Sequence, residues 1–252
     1  MSPTRIAIGA LAGFSAGFVD AVVGGGGLIQ LPSITLLLPE GRADIVLGTN
    51  KFAAVSGTSV AAMTLRDRLR SGLRSLLPAV FTAMVASFGG ARLSSLVPTS
   101  SFKPIIICAL LVVLVITVKR PDLGTRVGAD FSGRRSRMIG IAAVVGFYDG
   151  LIGPGTGTFF TIALVGLARF DFLEASATAK VLNVGTNLAA LSWFLPHRAI
   201  AWALAVPMAI ANLSGGFIGA RLALRKGAAF VRVFFLVVVG ALIVRLTYDV
   251  LR

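Results

Sequence analysis

The chain is poorly supplied with the residues that bind metals, close disulfides or cover a soluble surface. Its 252 residues include one cysteine and one histidine. A lone Cys108 excludes an internal disulfide. His197 sits in the short stretch LPHRA, with no second histidine and no cysteine nearby, which excludes a His/Cys metal cluster. No Ser-His-Asp or Cys-His arrangement can be assembled either, so the chain is read as not an enzyme, with no catalytic residue, metal or cofactor assigned. Charge is scarce as well. Only 13% of residues are charged, against about 25% in soluble domains. Apolar residues make up 56% and the mean hydropathy is +0.90. So little polar surface cannot cover so much apolar surface, and this excludes an ordinary soluble domain.

Acidic residues are the scarcer sign, 10 Asp plus Glu against 24 Lys plus Arg, a net charge of +14. In a soluble protein that balance would suggest nucleic acid. Here most basic residues lie between apolar runs, where anionic lipid and the positive-inside rule explain them and nucleic acid is not needed.

What is present is a series of apolar runs near the length of a bilayer crossing. Segment one, about Ile6 to Leu38, is too long for one untilted crossing and must tilt, break or fold back. It is also too long for a cleaved signal peptide, and is read as a retained first span. Further segments cover about Ile45–Leu65, Ser75–Val97 and Phe102–Val118. A polar stretch, KRPDLGTRVGADFSGRRSR, then separates residues 1–118 from residues 138–252. Segment five, about Met138 to Ala168, is again overlong, and three more follow at about Ala175–Leu195, Ala199–Leu222 and Phe230–Leu246. The expected fold is all-α and polytopic, with about eight spans. It comprises a first transmembrane repeat at 1–118, a basic connector at 119–137 and a second repeat at 138–252. The first helix of each repeat is expected to be broken or re-entrant. With the N-terminus inside, this count places most basic loops on the cytoplasmic side, but strands Arg221, Arg225, Lys226 and Arg232 outside. Whether the repeats are parallel or inverted stays open.

The case for a duplication rests on four blocks in one order. Gly17, Phe18, Asp20, Gly24 and Gly26 recur 129 positions later as Gly146, Phe147, Asp149, Gly153 and Gly155. Thr49-Asn50-Lys51 recurs as Thr178-Ala179-Lys180, GTSVAA from Gly57 as GTNLAA from Gly185, and GARL from Gly90 as GARL from Gly219.

The repeated blocks also carry the chemistry. Glycine weakens a helix interior by roughly 1 kcal/mol per residue, so the run Gly24, Gly25, Gly26, Gly27 favours a break. Pro154, inside Gly153–Gly157, favours a second. At bilayer depth such a break must face protein or a polar cavity, and the N–H groups that open the next half-helix attract anions. The competing reading is that these glycines only permit close helix packing. Neither run has the Gly-Lys-Ser/Thr ending of a phosphate loop. Lys51 and Lys180 occupy matched positions and either supply positive field to an anion or reach the headgroup layer. Asp20 and Asp149 either carry protons for coupling or cap the following half-helices. The substrate-binding candidates are therefore Gly24, Gly25, Gly26, Gly27, Asn50, Lys51, Thr58, Gly153, Gly155, Thr156, Gly157, Thr158, Lys180, Thr186 and Asn187. Asp20 and Asp149 are the proton-coupling candidates. Gln30, Asn183 and Asn212 are further polar residues in apolar surroundings, left unranked between cavity and helix contact.

GFVDAVVGGGGLIQLP with TNKFAAVSGTSVAA, and GFYDGLIGPGTGTFF with ATAKVLNVGTNLAA, together resemble the sulfite exporter TauE/SafE family, also called the four-toluene sulfonate uptake permease family. The resemblance covers nearly the whole chain. It implies a multi-pass transporter of the bacterial-type cytoplasmic membrane for small sulfur-containing anions such as sulfite, sulfonates or thiosulfate, often in export. It gives motif positions to Gly24–Gly27, Gly153–Gly157, Lys51 and Lys180. Some relatives use several cysteines in thiosulfate chemistry. This chain has only Cys108, outside the paired motifs, so a thiol relay is not expected. Ala179 stands opposite Asn50, so a polar pair there is asymmetric. The expected function is a secondary carrier or exporter of small sulfur-containing or organic anions, with a small anionic solute and the lipid bilayer as partners and no nucleic acid. The alternatives are an uncoupled channel-like anion facilitator and a non-transporting membrane scaffold.

Overall fold

The computed structural model describes residues 1–39, 42–69, 72–96, 111, 115 and 133–251. Segment four, Cys108 and most of the expected connector lie outside the described residues, as do Glu40 and Gly41 of the expected loop after segment one. The described helices are α1 (Pro3–Val23), α2 (Gly26–Leu37), α3 (Ala43–Leu65), α4 (Gly72–Leu93), α5 (Arg134–Leu151), α6 (Thr156–Ala168), α7 (Phe172–Phe194) and α8 (Trp202–Leu251). The described architecture is a bundle of these α-helices with two short 3₁₀ turns.

The expectation of about eight spans is corrected. Among the described residues, three helices are long and apolar enough to cross a membrane: Pro3–Val23, Gly72–Leu93 and Trp202–Val238. The reasons are physical. Helices α2 and α6 have 12 and 13 residues, which at about 1.5 Å per residue fall short of a hydrocarbon core about 30 Å thick. Helices α3 and α7 are long enough, but carry Lys51, Lys180 and several Asn and Thr within them, and α7 has Glu174 in its first turn. Three arginines occupy the first four positions of α5, so the helix starts inside the stretch assigned to the connector. Segments seven and eight are two helices that meet at Gly227 (φ 77°, ψ −174°) with no loop between them, and are labelled together as α8. Arg221, Arg225 and Lys226 lie in helix, at the end of its first part.

Packing follows small residues. Helix α1 lies on α8, with Gly13 and Gly17 against the backbone of Met208 and Asn212, and Gly215 and Gly219 against that of Phe14 and Phe18. Helix α5 lies on α4 in the same manner, Gly146 and Gly150 meeting Ala83 and Ser87. A Cβ at Gly146 would stand 2.8 Å from Ala83 O, so the axes come closer than larger side chains allow. Each first helix thus packs on the last described helix of the opposite half. At the centre, α3 and α7 cross, and α7 is buried along nearly its whole length. Asp171 caps α7, accepting from Leu173 N and Glu174 N. The crossing of α3 and α7 faces the gaps between α1 and α2 and between α5 and α6.

Candidate functional site

The first break falls at Gly24, whose N–H still bonds Asp20 O at 2.8 Å while its φ of +86° ends α1. L side chains rarely take that φ, and a Cβ there would also strike the backbone of Gly157. The second break spans residues 152–155, with Gly153 (φ 89°) and Gly155 (φ 80°) around Pro154. It is held by Tyr148, whose hydroxyl donates to Pro154 O at 2.7 Å. The two breaks touch. Thr158 N donates to Gly24 O at 3.1 Å and Thr158 Oγ1 to Val23 O at 3.2 Å, while Ser176 Oγ reaches Val22 O at 3.4 Å. Close packing and helix interruption, offered as competing readings of the glycines, therefore coexist.

Around this junction lies a cavity of about 30 Å³. By this measure one water needs about 10–15 Å³, so the cavity has room for more than one. Of the residues proposed from sequence, Gly24, Gly26, Gly27, Asn50, Lys51, Thr58, Gly153, Gly155, Thr156, Gly157 and Asn187 line it, together with Asp20 and Asp149. Gly25, Thr158, Lys180 and Thr186 do not. Thr158 is committed to the α1 end, and Thr186 donates within its own helix to Asn183 O at 3.0 Å. Gln30, Ala54, Asn183 and Asn212 join the lining. Sequence reasoning noted the three amides but had no signal to rank them, because none has a matching residue in the paired blocks.

Both lysines are buried, Lys51 at 2% and Lys180 at 0% exposure, so neither reaches a headgroup layer. Each pairs with an aspartate of the opposite half. Lys51 Nζ lies 2.7 Å from Asp149 Oδ2, and Lys180 Nζ lies 3.1 Å from Asp20 Oδ2. The capping role considered for the aspartates is not what they do. They occupy the last turns of α1 and α5, while Gly25 and Gly155 stand at the N-caps of α2 and α6 without a side-chain bond. Thr58 Oγ1 also donates to Asp20 Oδ2, at 3.2 Å. Across the cavity, Asn212 Nδ2 donates to Gln30 Oε1 at 2.7 Å, and Gln30 Nε2 donates to Asn50 O at 3.0 Å. Asn50 Oδ1 is buried with no hydrogen-bond partner. Buried polar atoms are usually satisfied, so this one marks the cavity wall as made for something polar.

The arrangement combines two ammonium groups and two carboxylates at the junction of two helix breaks, with amides, hydroxyls and glycine backbone on the remaining walls. It is balanced in charge and rich in polar groups. Among the described residues there is no group of three or more His, Cys, Asp or Glu that could hold a metal ion.

Comparison with known proteins places the chain among membrane transporters. The family described as "Sulfite exporter TauE/SafE" matches residues 9–246. The chain is 32% identical to "Probable membrane transporter protein ORF9" of a Sinorhizobium species, across 95% of this chain and 91% of that protein. It is 30% identical to a "Probable membrane transporter protein" of Haemophilus influenzae, across 94% and 92%. It is 29% identical to "Probable membrane transporter protein YfcA" of Escherichia coli, across 99% and 92%. No solved structure matches the chain.

Proposed function

The chain belongs to the sulfite exporter TauE/SafE family, and from that premise we propose that its solute is a small sulfur-containing or organic anion such as sulfite or a sulfonate. Membership makes it a membrane transporter, not an enzyme, and a multi-pass protein of the bacterial cytoplasmic membrane. The anion and the mechanism are the proposal.

One observation carries it: Lys51, a buried cation, lines a polar cavity that the first turns of two half-helices also line. Ammonium, amide N–H and hydroxyl groups are donors suited to the oxygens of a sulfite or sulfonate group. The N–H groups that open α2 and α6 add the positive end of each helix dipole. In this reading Gly24–Gly27, Asn50, Thr58, Gly153, Gly155–Thr158, Thr186 and Asn187 bind or frame the solute, and Asp20 and Asp149 are the candidates for coupling its movement to protons. Some of these act at second hand: Thr158 holds the two breaks together, and Lys180 fixes Asp20.

In this reading access to the cavity opens where the two breaks meet, at the Gly24–Gly157 contact. We take the halves at 1–118 and 138–252, joined by 119–137, as the two bodies that move. The Lys51–Asp149 ion pair would break and re-form as access alternates.

A proteoliposome screen with sulfite, thiosulfate, sulfoacetate, sulfate and acetate tests the reading. Uptake or counterflow of at least one sulfur-containing anion is expected. Transport of none of them would overturn it.

A further inference from the structure

The two ion pairs at the cavity are built differently. Asp20 Oδ2 accepts two hydrogen bonds, from Lys180 Nζ at 3.1 Å and Thr58 Oγ1 at 3.2 Å. Asp149 Oδ2 lies 2.7 Å from the Lys51 ammonium and accepts from no other donor. Thr186, the sequence counterpart of Thr58, donates to Asn183 O, so it brings no hydroxyl to Asp149. The lysines differ too. Lys51 lines the cavity, whereas Lys180 does not and lies behind Asp20.

Few other charges face Asp149. Helix α3 contributes Lys51, and α1 contributes Asp20 across the cavity. Helix α7 contributes Lys180, bound to Asp20, and Glu174, bound to Arg134 at the far end of α5. Helix α4 carries only Arg74 and Arg92, both exposed. Helix α6 carries no ionisable side chain, and on α5 itself the Tyr148 hydroxyl is turned to Pro154 O.

Building on the anion-carrier reading, we infer that Asp149 is the proton-carrying carboxylate of the site and that the solute anion replaces it on Lys51, while Asp20, Lys180 and Thr58 stay together as a fixed pair. The exchange balances. One proton adds to an Asp149 carboxylate oxygen, giving the neutral acid. Lys51 keeps its protons and its charge, and an oxygen of the anion becomes its partner. The buried charge is the same before and after, so one proton accompanies one negative charge. A dianion would leave one uncompensated buried charge, which is strongly unfavourable. The site therefore selects a monoanion over a dianion.

Infrared difference spectra of the full chain in phosphatidylethanolamine/phosphatidylglycerol vesicles, recorded on adding sulfite at a mildly acidic pH where the monoanion hydrogensulfite predominates, test this. A protonated-carboxyl C=O band should appear, should shift in Asp149→Glu and should stay in place in Asp20→Glu. Sulfite uptake driven by an imposed pH gradient should fall by about tenfold or more in Asp149→Asn, as expected for a lost charged partner. The Glu variants retain the carboxylate, so they decide the question even if the Asn variant does not fold. A band that follows Asp20→Glu, or no band while wild-type sulfite counterflow is present, overturns the inference and leaves the anion-carrier reading standing. No sulfite counterflow in the wild type overturns both for this anion.

Discussion

Lys51 Nζ lies 2.7 Å from Asp149 Oδ2, with both side chains buried and the two residues drawn from opposite halves of the chain. Lys180 and Asp20 make the reciprocal pair, so the lysine helix of each half meets the broken helix of the other. Charges at this depth persist only when partnered, because each bare ion carries several kcal/mol of desolvation. The halves are therefore tied at the point where solute is proposed to bind.

Removing one partner should be worse than removing both. Lys51→Ala leaves Asp149 buried and unpaired and should destabilise the protein by about 3–5 kcal/mol, read as thermal unfolding in detergent. Lys51→Met with Asp149→Leu should recover most of that loss. Neither variant should transport anions, because the cation lining the cavity is gone. Normal flux in a folded Lys51→Ala protein would show that Lys51 is not the solute's partner.

Gly24 tests the break. Gly24→Ala forces a side chain into φ +86° and against the Gly157 backbone, and should lower stability by about 1–3 kcal/mol and abolish uptake. Gly166 in α6 is the control, since a Cβ there meets nothing within 4 Å. Gly166→Ala should be neutral or stabilise by up to about 1 kcal/mol. Equal unfolding temperatures for the two variants would refute the strained-turn account.

Asn212 tests the amide chain. Asn212→Ala removes the donor to Gln30 Oε1 and should destabilise by about 1–3 kcal/mol, the usual consequence of orphaning a buried acceptor. Because Gln30 also holds Asn50 O, the same variant should raise the KM for anion uptake. An unchanged KM would restrict the chain to a structural part.

Thr58 separates hydroxyl from shape. Thr58→Val should lose about 1 kcal/mol and slow uptake, while Thr58→Ser, which keeps the donor to Asp20, should stay near wild type in both stability and flux. Matching effects from Val and Ser would mean that methyl packing, not the hydrogen bond, is what matters at this position.

Much of the site was legible beforehand, for a definite reason. Asp20, Lys51, Asp149 and Lys180 are charges in apolar runs, and hydrocarbon tolerates those only with partners, so their presence announced a polar interior. The run Gly24–Gly27 and the Gly153–Pro154–Gly155 stretch mark weak helix by backbone chemistry alone. Gln30, Asn183 and Asn212 were visible as polar residues, but a neutral amide serves helix contact as well as a cavity wall, and no periodicity separates the two. The span count failed where hydropathy was read by run length. Two helices meet directly at Gly227 where a loop was expected, and the short helices α2 and α6 are apolar without having the length to cross.

The amino-acid sequence by itself determined that this chain is a helical membrane protein with charges it must bury, because the apolar content, the scarce charge and the placement of aspartate and lysine are local facts of composition and order. It also carried the family, through paired motifs that a single chain can display. Only the tertiary structure decided who neutralises whom. Lys51 could have met Asp20 as readily as Asp149 on sequence grounds, and the crossing of α3 with α7 against the two breaks selects the opposite-half partners. The tertiary structure likewise gave Thr58 to Asp20 and withheld Thr186 from Asp149. Hydrogen-bond geometry depends on distances of a few tenths of an ångström between segments far apart in the chain, and no local pattern encodes them.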